Sequence, residues 1–191
     1  MSVFKKLEPL IATTIKDIQR PAAVHILSLH SPAMEIFTDF SLQQPLMLEH
    51  VTSIDDAREI MKSTHNKFFL VIDKQESFLG VVSLEDLESE KVMAEIARSR
   101  LRRHELTVEK VMTPPCHICS IDFRDFQQAD IGSVLTCMKE YGEQYVLVVD
   151  ARRSSIRGIV SAETIARRMH SPVVISERAV SFSDIFKTIA R

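Results

Sequence analysis

Apolar residues gather in two short unbroken runs, and each run ends in an aspartate. Residues 69–73 read Phe-Leu-Val-Ile-Asp, and residues 146–150 read Val-Leu-Val-Val-Asp, 77 positions further along the chain. Apolar runs of this length are typical of strands that are covered on both faces. The sequence therefore predicts two equivalent buried strands.

A helical pattern precedes each run at the same distance. Its apolar positions recur every three or four residues, first at Ile54, Ala57, Ile60, Met61 and Thr64, and then at Ile131, Val134, Leu135, Met138 and Tyr141. This spacing places them on one face of a helix. Ser53 and Asp130 come directly before the two patterns and are good N-cap residues. Each buried strand is therefore expected to follow an amphipathic helix.

The correspondence continues beyond these elements on both sides. Residues 80–83 (Gly-Val-Val-Ser) match residues 158–161 (Gly-Ile-Val-Ser), 78 positions apart, and Thr38 matches Thr113, 75 positions apart. The spacing between equivalent residues thus varies from 75 to 78 positions, which implies small insertions of the kind that surface loops tolerate. We therefore predict an α/β (α+β) fold built from two β-α-β-β-α repeats.

The repeats set the domain plan. We place repeat 1 at residues 33–106 and repeat 2 at residues 107–170, with Pro114 and Pro115 giving an extended path into repeat 2. The apolar positions after Ser83 predict one helix that runs to the basic residues near Arg102.

The two ends of the chain carry weaker patterns. Residues 1–32 contain one amphipathic helical pattern, which Pro9 bends and Pro21 ends. Residues 171–191 offer a strand at residues 173–175 and then a helix that opens at Ser181.

The repeated motifs resemble those of CBS domains. The first repeat carries the pattern in full: Asp73, and then residues 80–87 (Gly-Val-Val-Ser-Leu-Glu-Asp-Leu). The second repeat keeps residues 111–113 (Val-Met-Thr), Asp150 and residues 158–161, but has Thr164 where the second aspartate belongs. The chain is thus similar to a bacterial-type, stand-alone tandem CBS pair (a Bateman module). The resemblance implies two repeats packed with pseudo-twofold symmetry, frequent dimerisation, and binding of adenosine-type nucleotides in clefts between the repeats.

Ser83 and Asp86 have two explanations, and both stay open. Serine followed three positions later by an acidic residue is a capping box at a helix start. A helix N-terminus also attracts phosphate, and a carboxylate in the first turn can accept both hydroxyls of a ribose. In the family that the chain resembles, these two positions contact sugar and phosphate. The resemblance completes this first cleft with Val81, Lys67, Thr113, Cys116 and Ile118.

A second cleft would use Thr38, Ser161 and Thr164. A threonine hydroxyl can cap a helix, but it cannot offer a charged bidentate acceptor to a diol. We therefore expect this cleft to be degenerate, or to hold something other than an unmodified ribonucleotide.

Composition narrows the function classes. The formal net charge is −2, which gives no general attraction to nucleic acid. The apolar runs are too short to span a membrane. Three cysteines, an odd number, argue against a disulfide framework and favour the cytoplasm. Residues 116–119 (Cys-His-Ile-Cys) supply only half of a zinc site, so we expect no metal.

No nucleophile–base pair, metal constellation or glycine-rich phosphate loop points to an enzyme. We expect a regulatory module that needs no cofactor and senses AMP, ADP, ATP or a related adenosine ligand. It would signal to an unidentified protein target through a change of conformation or of a homodimer contact. The alternative is a ligand-free scaffold that serves protein–protein interaction.

Overall fold

A computed structural model describes residues 8–9, 17–19, 27–173 and 175. The helix predicted within residues 1–32 and the strand and helix predicted within residues 171–191 fall almost entirely outside this range. The described elements, in chain order, are β1 (Thr38–Asp39), β2 (Met47–Glu49), α1 (Ile54–Thr64), β3 (Phe68–Ile72), β4 (Phe78–Ser83), α2 (Leu84–Glu88), α3 (Glu90–Ser99), β5 (Ser120–Asp122), α4 (Phe123–Gln128), α5 (Ile131–Tyr141), β6 (Tyr145–Asp150), β7 (Ser155–Ser161) and α6 (Ala162–Met169).

The strands form two sheets with the same internal order. In one sheet β2 runs parallel to β3, and β3 pairs antiparallel with β4. In the other, β5 runs parallel to β6, β6 pairs antiparallel with β7, and β1 adds to the far edge of β7. The prediction of two repeats in an α/β (α+β) fold is confirmed.

Each sheet is completed by the opening segment of the other repeat. Thr38 pairs with Ile159 on β7, and Thr113 forms an isolated bridge to Val81 on β4. Val81 and Ile159 lie 78 positions apart, so the two contacts are equivalent by the repeat. The opening segments are thus exchanged between the repeats.

Polar caps hold the ends of the long helices. Ser53 accepts a hydrogen bond from the Asp56 amide at the start of α1, and Asp130 accepts one from the Ser133 amide at the start of α5. Both helices stop at a residue in the left-handed region, His65 (φ 54°) and Gly142 (φ 67°). These signals define the helix that precedes each buried strand.

The buried apolar residues form three clusters. One lies in each repeat, and the third joins the two sheets through Leu70, Val81, Tyr145 and Leu147. The cluster of repeat 2 includes Ala33 and Ile36 of repeat 1, while that of repeat 1 includes Val108 and Val111 of repeat 2. Burial of apolar surface therefore ties each opening segment to the other repeat. The boundary proposed near residue 106 stays a prediction.

Three local predictions need correction. The helix after Ser83 is two helices, because Ser89 is extended (φ −78°, ψ 166°) and ends α2 while it begins α3. The second of these stops at Arg100, which adopts a left-handed conformation (φ 57°). The extended path predicted at Pro114 and Pro115 ends early, because Pro115–His117 forms a 3₁₀ turn, and the next strand begins only at Ser120. The helix α4 is an insertion that the repeat alignment did not predict.

Gly158→Ala tests the exchange of segments. A Cβ atom at Gly158 would overlap the Thr38 carbonyl oxygen and the Phe37 ring. We expect the free energy of unfolding to fall by about 1–3 kcal/mol, because the opening segment must move away. Chemical denaturation measures this loss. The control is Ser155→Ala at the exposed start of β7, which should change stability by no more than about 0.5 kcal/mol. A Gly158→Ala variant as stable as its control would contradict the arrangement.

Candidate functional site

A cavity of about 290 Å³ lies where the two repeats meet, and we call it the inter-repeat cavity. Repeat 1 contributes the loop between α1 and β3 and the start of β3. Repeat 2 contributes the end of β7 and the beginning of α6. The segment that follows β1 closes one side of the cavity, and we call it the wall. The residues that line it are Thr38, Phe40, Gln43, Gln44, Pro45, Leu46, His65, Asn66, Lys67, Phe68, Phe69, Leu70, Ile159, Ser161, Glu163, Thr164 and Arg167.

The hydroxyls of Ser161 and Thr164 stand at the N-terminus of α6. The Ser161 hydroxyl accepts a hydrogen bond from the Thr164 amide at 3.2 Å, and the two side-chain oxygens lie 3.0 Å apart. They form a cap that carries no charge. A helix N-terminus of this kind offers partial positive charge to an anion in the cavity.

Cations face this helix start from both repeats. Lys67 reaches from repeat 1, with its Nζ 3.4 Å from a carboxylate oxygen of Glu163, and Arg167 lines the cavity from α6. Two cations therefore accompany one carboxylate around the hydroxyl cap. This balance favours an anionic group over a cationic one.

An ion pair anchors the wall of the cavity. Arg157 donates two hydrogen bonds to the carboxylate of Asp39, at 3.0 and 2.9 Å, and its guanidinium lies 4.8 Å from the centre of the Phe123 ring. Burial alone would raise the pKa of Asp39, but the hydrogen bonds from Arg157 and Ser41 outweigh it and hold that pKa below its ordinary value. The start of the wall is thus fixed by a charged contact.

The carboxylate of Asp86 is engaged inside the protein. Its Oδ2 accepts hydrogen bonds from the Ser83 amide (2.9 Å) and the Ser83 hydroxyl (2.7 Å), while its Oδ1 lies 3.0 Å from Lys91 Nζ. The exposed fractions of Asp86 and Ser83 are only 8% and 7%. The capping box that the sequence suggested is present. A diol could bind Asp86 only by displacing some of these contacts.

The surroundings of Asp86 are acidic. Burial raises the pKa of Glu143, and the nearby Asp86 carboxylate raises it further, while Lys91 opposes both. Burial likewise raises the pKa of Tyr145, whose hydroxyl is hydrogen-bonded to the side chain of Thr113. The ring of Tyr145 packs on that of Phe68 at 4.8 Å between centroids. A phosphate beside Asp86 would meet negative charge.

The residues proposed for binding separate into three groups. Thr38, Ser161 and Thr164 line the inter-repeat cavity together. The side chain of Lys67 lies there too, although the resemblance had placed it in the Asp86 cleft; its carbonyl accepts a hydrogen bond from the Leu84 amide. The second group lies around the Asp86 cleft and consists of Val81, Ser83, Asp86 and Thr113. The third group lies apart from both: Cys116 is exposed, and Ile118 lines a different cavity.

The sequence analysis did not select Arg167, Glu143 or Tyr145. The repeat alignment could have found the last two, because Glu143 and Tyr145 lie 77 positions after Asn66 and Phe68. At these two positions the inter-repeat cavity has a neutral amide and a phenyl ring, whereas the Asp86 cleft has a carboxyl group and a phenol. Nothing in the local pattern indicated that Arg167 faces the cavity.

Residues 37–91 match the family model of the CBS domain. The match covers most of repeat 1. No curated protein matches the sequence. Among solved structures, the chain is similar to a conserved CBS domain protein of unknown function from Thermoplasma acidophilum, with 18% identity and a TM-score of 0.50 over 81% of this chain and 75% of that one.

Two further structures share the fold. A putative acetoin utilization protein from Vibrio cholerae has 19% identity and a TM-score of 0.51, covering 73% of this chain and 90% of its own. CBSX2, solved in complex with AMP, has 21% identity and a TM-score of 0.51, covering 72% of this chain and 94% of its own. The two repeats described above therefore have the fold of a CBS pair.

Metal clusters and membrane-spanning helices are both absent from residues 27–173 and the few described residues outside them. No cluster of three or more His, Cys, Asp or Glu side chains there could hold a metal ion. Cys119 instead faces Cys137, with 3.6 Å between the sulfur atoms. No helix in the same part of the CBS pair is long and apolar enough to cross a bilayer.

Asp39→Asn tests the charged anchor of the cavity wall. The variant keeps the side-chain shape but loses the ion pair. We therefore expect the free energy of unfolding at pH 7 to fall by about 1–3 kcal/mol. Because the folded-state pKa of Asp39 is lowered, its contribution is present above the unfolded value of about 3.9 and disappears as the pH falls through the folded value. Urea denaturation from pH 7 down to acid pH should show the two proteins converge.

The control for this prediction is Asp125→Asn, at an exposed position of α4. It should stay close to wild type at every pH. If Asp39→Asn behaved like this control, the Arg157 contact would contribute no net stability.

Proposed function

We propose that this CBS pair is a regulatory module that binds an adenosine-containing nucleotide between its repeats. The observation that carries the proposal is the inter-repeat cavity, in which Lys67 of repeat 1 faces the hydroxyl cap of Ser161 and Thr164 in repeat 2. The AMP complex of CBSX2, which shares the fold, supports the choice of ligand class. The needs of a nucleotide phosphate, namely cations and a helix N-terminus, are both met there.

We place the nucleotide in the inter-repeat cavity and not in the Asp86 cleft. The Asp86 carboxylate already accepts three hydrogen bonds, and Glu143 adds a second acidic group beside it. A phosphate would have to displace Lys91 or approach two carboxyl groups. The inter-repeat cavity lacks an equivalent of Asp86, so its ligand would be held by the phosphate and the base and not by a bidentate bond to the ribose.

A ligand in this cavity would act on the relative orientation of the repeats. It would contact the loop before β3 in repeat 1 and the start of α6 in repeat 2 at the same time. Such a ligand favours whichever orientation it binds more tightly, and only by the difference in affinity. We propose that a protein target, or a second copy of the chain, responds to that orientation.

Isothermal titration calorimetry with AMP, ADP and ATP tests the proposal. Lys67→Gln copies Gln144, the residue 77 positions further on, and should weaken binding of the tightest ligand about tenfold, since a charge-assisted bond contributes about 1.5–3 kcal/mol. Asp86→Thr copies Thr164 and should leave the dissociation constant within about twofold. Both variants must first show a wild-type unfolding profile.

The opposite pattern would place the ligand in the other cleft. If Asp86→Thr and 2′-deoxy-AMP both reduce affinity while Lys67→Gln does not, Asp86 binds the ribose. If none of the nucleotides binds, the ligand-free scaffold becomes the better account of this chain.

We also propose that the pair forms a homodimer. Apolar side chains remain exposed on three helices: Ile60 on α1 (37% exposed), Met93 on α3 (65%) and Tyr141 on α5 (47%). Multi-angle light scattering at micromolar concentration should give twice the monomer mass of 21.7 kDa, and Met93→Glu should shift the population toward monomer. A constant mass of one chain at all concentrations would contradict the proposal.

A further inference from the structure

A second and larger cavity, of about 580 Å³, is lined by both repeats. Its walls come from equivalent positions in the two repeats. Leu70 and Leu147 stand opposite each other, paired in register with Met47 and Ser120 on the neighbouring parallel strands. Further along the strands, Ile72 pairs with Phe78 in one sheet, and Val149 pairs with Ile156 in the other. These four residues and the four named before them all line this cavity. We call it the axial cavity.

The axial cavity is separate from the inter-repeat cavity. The latter lies where β3 begins and β7 ends, whereas the axial cavity lies toward the turns that follow β3 and β6. Among the described residues, Leu70 alone lines both cavities. Of the residues that the sequence proposed for ligand contact, only Ile118 borders the axial cavity.

The inner part of the axial cavity is lined by apolar side chains, and its rim is polar. Leu70 and Leu147 are 7% and 3% exposed and belong to the cluster that joins the sheets. The rim carries the carboxylates of Glu76 and Asp150 and the hydroxyls of Ser120, Ser154 and Ser155. Among the described residues that line it, none is a lysine or an arginine. Its chemistry is therefore opposite to that of the inter-repeat cavity.

We infer that the axial cavity binds a small ring-containing molecule that is neutral or positively charged. Its volume falls within the roughly 300–1,000 Å³ of small-molecule sites, which are mostly apolar and carry a few polar groups. An apolar ring system would cover Leu70, Leu147 and Ile118, and its polar end would remain at the rim. Asp150 is already paired with Arg153, 3.7 Å away. An anion would still meet the carboxylate of Glu76, and none of the described lining residues is a lysine or an arginine. The concave depth between two sheets suits a compact molecule better than a flat protein surface.

Two naphthalene dyes of similar size test both the site and its charge preference. One is neutral, 6-propionyl-2-(dimethylamino)naphthalene, and the other is the anion 8-anilinonaphthalene-1-sulfonate. In fluorescence titrations of the full chain we expect one saturable site for the neutral dye and binding at least about tenfold weaker for the anion. Ala151→Trp, at an exposed position of the rim, should weaken binding of the neutral dye by at least about tenfold, because the indole would block the entrance of the axial cavity.

Lys74→Trp is the matched control. Lys74 is the exposed residue 77 positions before Ala151 and does not line the axial cavity, so this variant should bind the neutral dye like wild type. Methyl NMR spectra of the wild-type protein give a measurement that needs no variant. Addition of the neutral dye should shift the methyl signals of Ile118 and Leu147.

Three results would overturn the inference: no saturable binding of the neutral dye, equal loss of binding in both tryptophan variants, or shifts confined to methyl groups outside the axial cavity. Self-association that Ala151→Trp abolishes, without dye binding, would also overturn it and would identify the cavity as a contact between copies. None of these results bears on nucleotide binding in the inter-repeat cavity.

Discussion

The exchange of opening segments is the constraint on which the remaining structure depends. Thr38 can pair with Ile159, and Thr113 with Val81, only because Gly158 and Gly80 leave room for the carbonyl oxygens of the two threonines. The exchange carries Ala33 and Ile36 into the core of repeat 2, and Val108 and Val111 into that of repeat 1. Neither repeat has a complete core without the other. Two chemically similar halves are thus fixed face to face, and the cavities between them follow from that packing.

Pseudo-symmetry makes the two clefts alike in backbone, while substitutions make them unlike in charge. The inter-repeat cavity has the side chains of Asn66, Lys67 and Thr164. The equivalent positions at the Asp86 cleft are Glu143, Gln144 and Asp86. At these positions the inter-repeat cavity therefore has two acidic residues fewer and one cation more than the Asp86 cleft. The raised pKa of Glu143, caused by burial and by Asp86, reflects the resulting concentration of negative charge.

Sequence patterns predicted the elements that are defined locally or by repetition. The helices α1 and α5 and the strands that follow them were predicted because their apolar periodicity and their caps at Ser53 and Asp130 are short-range features. The equivalence of Thr38 and Thr113 came from the repeat itself. The break at Ser89 could not be predicted, since the apolar spacing of α2 and α3 continues across it. The direction of the Lys67 side chain depends on Glu163, which is distant in sequence, and the axial cavity exists only once both sheets are placed.

The capping box at Ser83 shows why a motif alone cannot decide between a structural and a binding role. The same Ser-x-x-Asp geometry that would place a carboxylate near a ribose also satisfies the first amides of a helix, and here Lys91 occupies the remaining oxygen. Ser161 and Thr164 make the same cap with neutral oxygens. The cap therefore survives without the carboxylate, and the charge at this position can differ between the two clefts. Because capping needs only an acceptor, the chemistry of each cleft is set by the residues that face it from the opposite repeat, Lys67 in one case and Glu143 in the other.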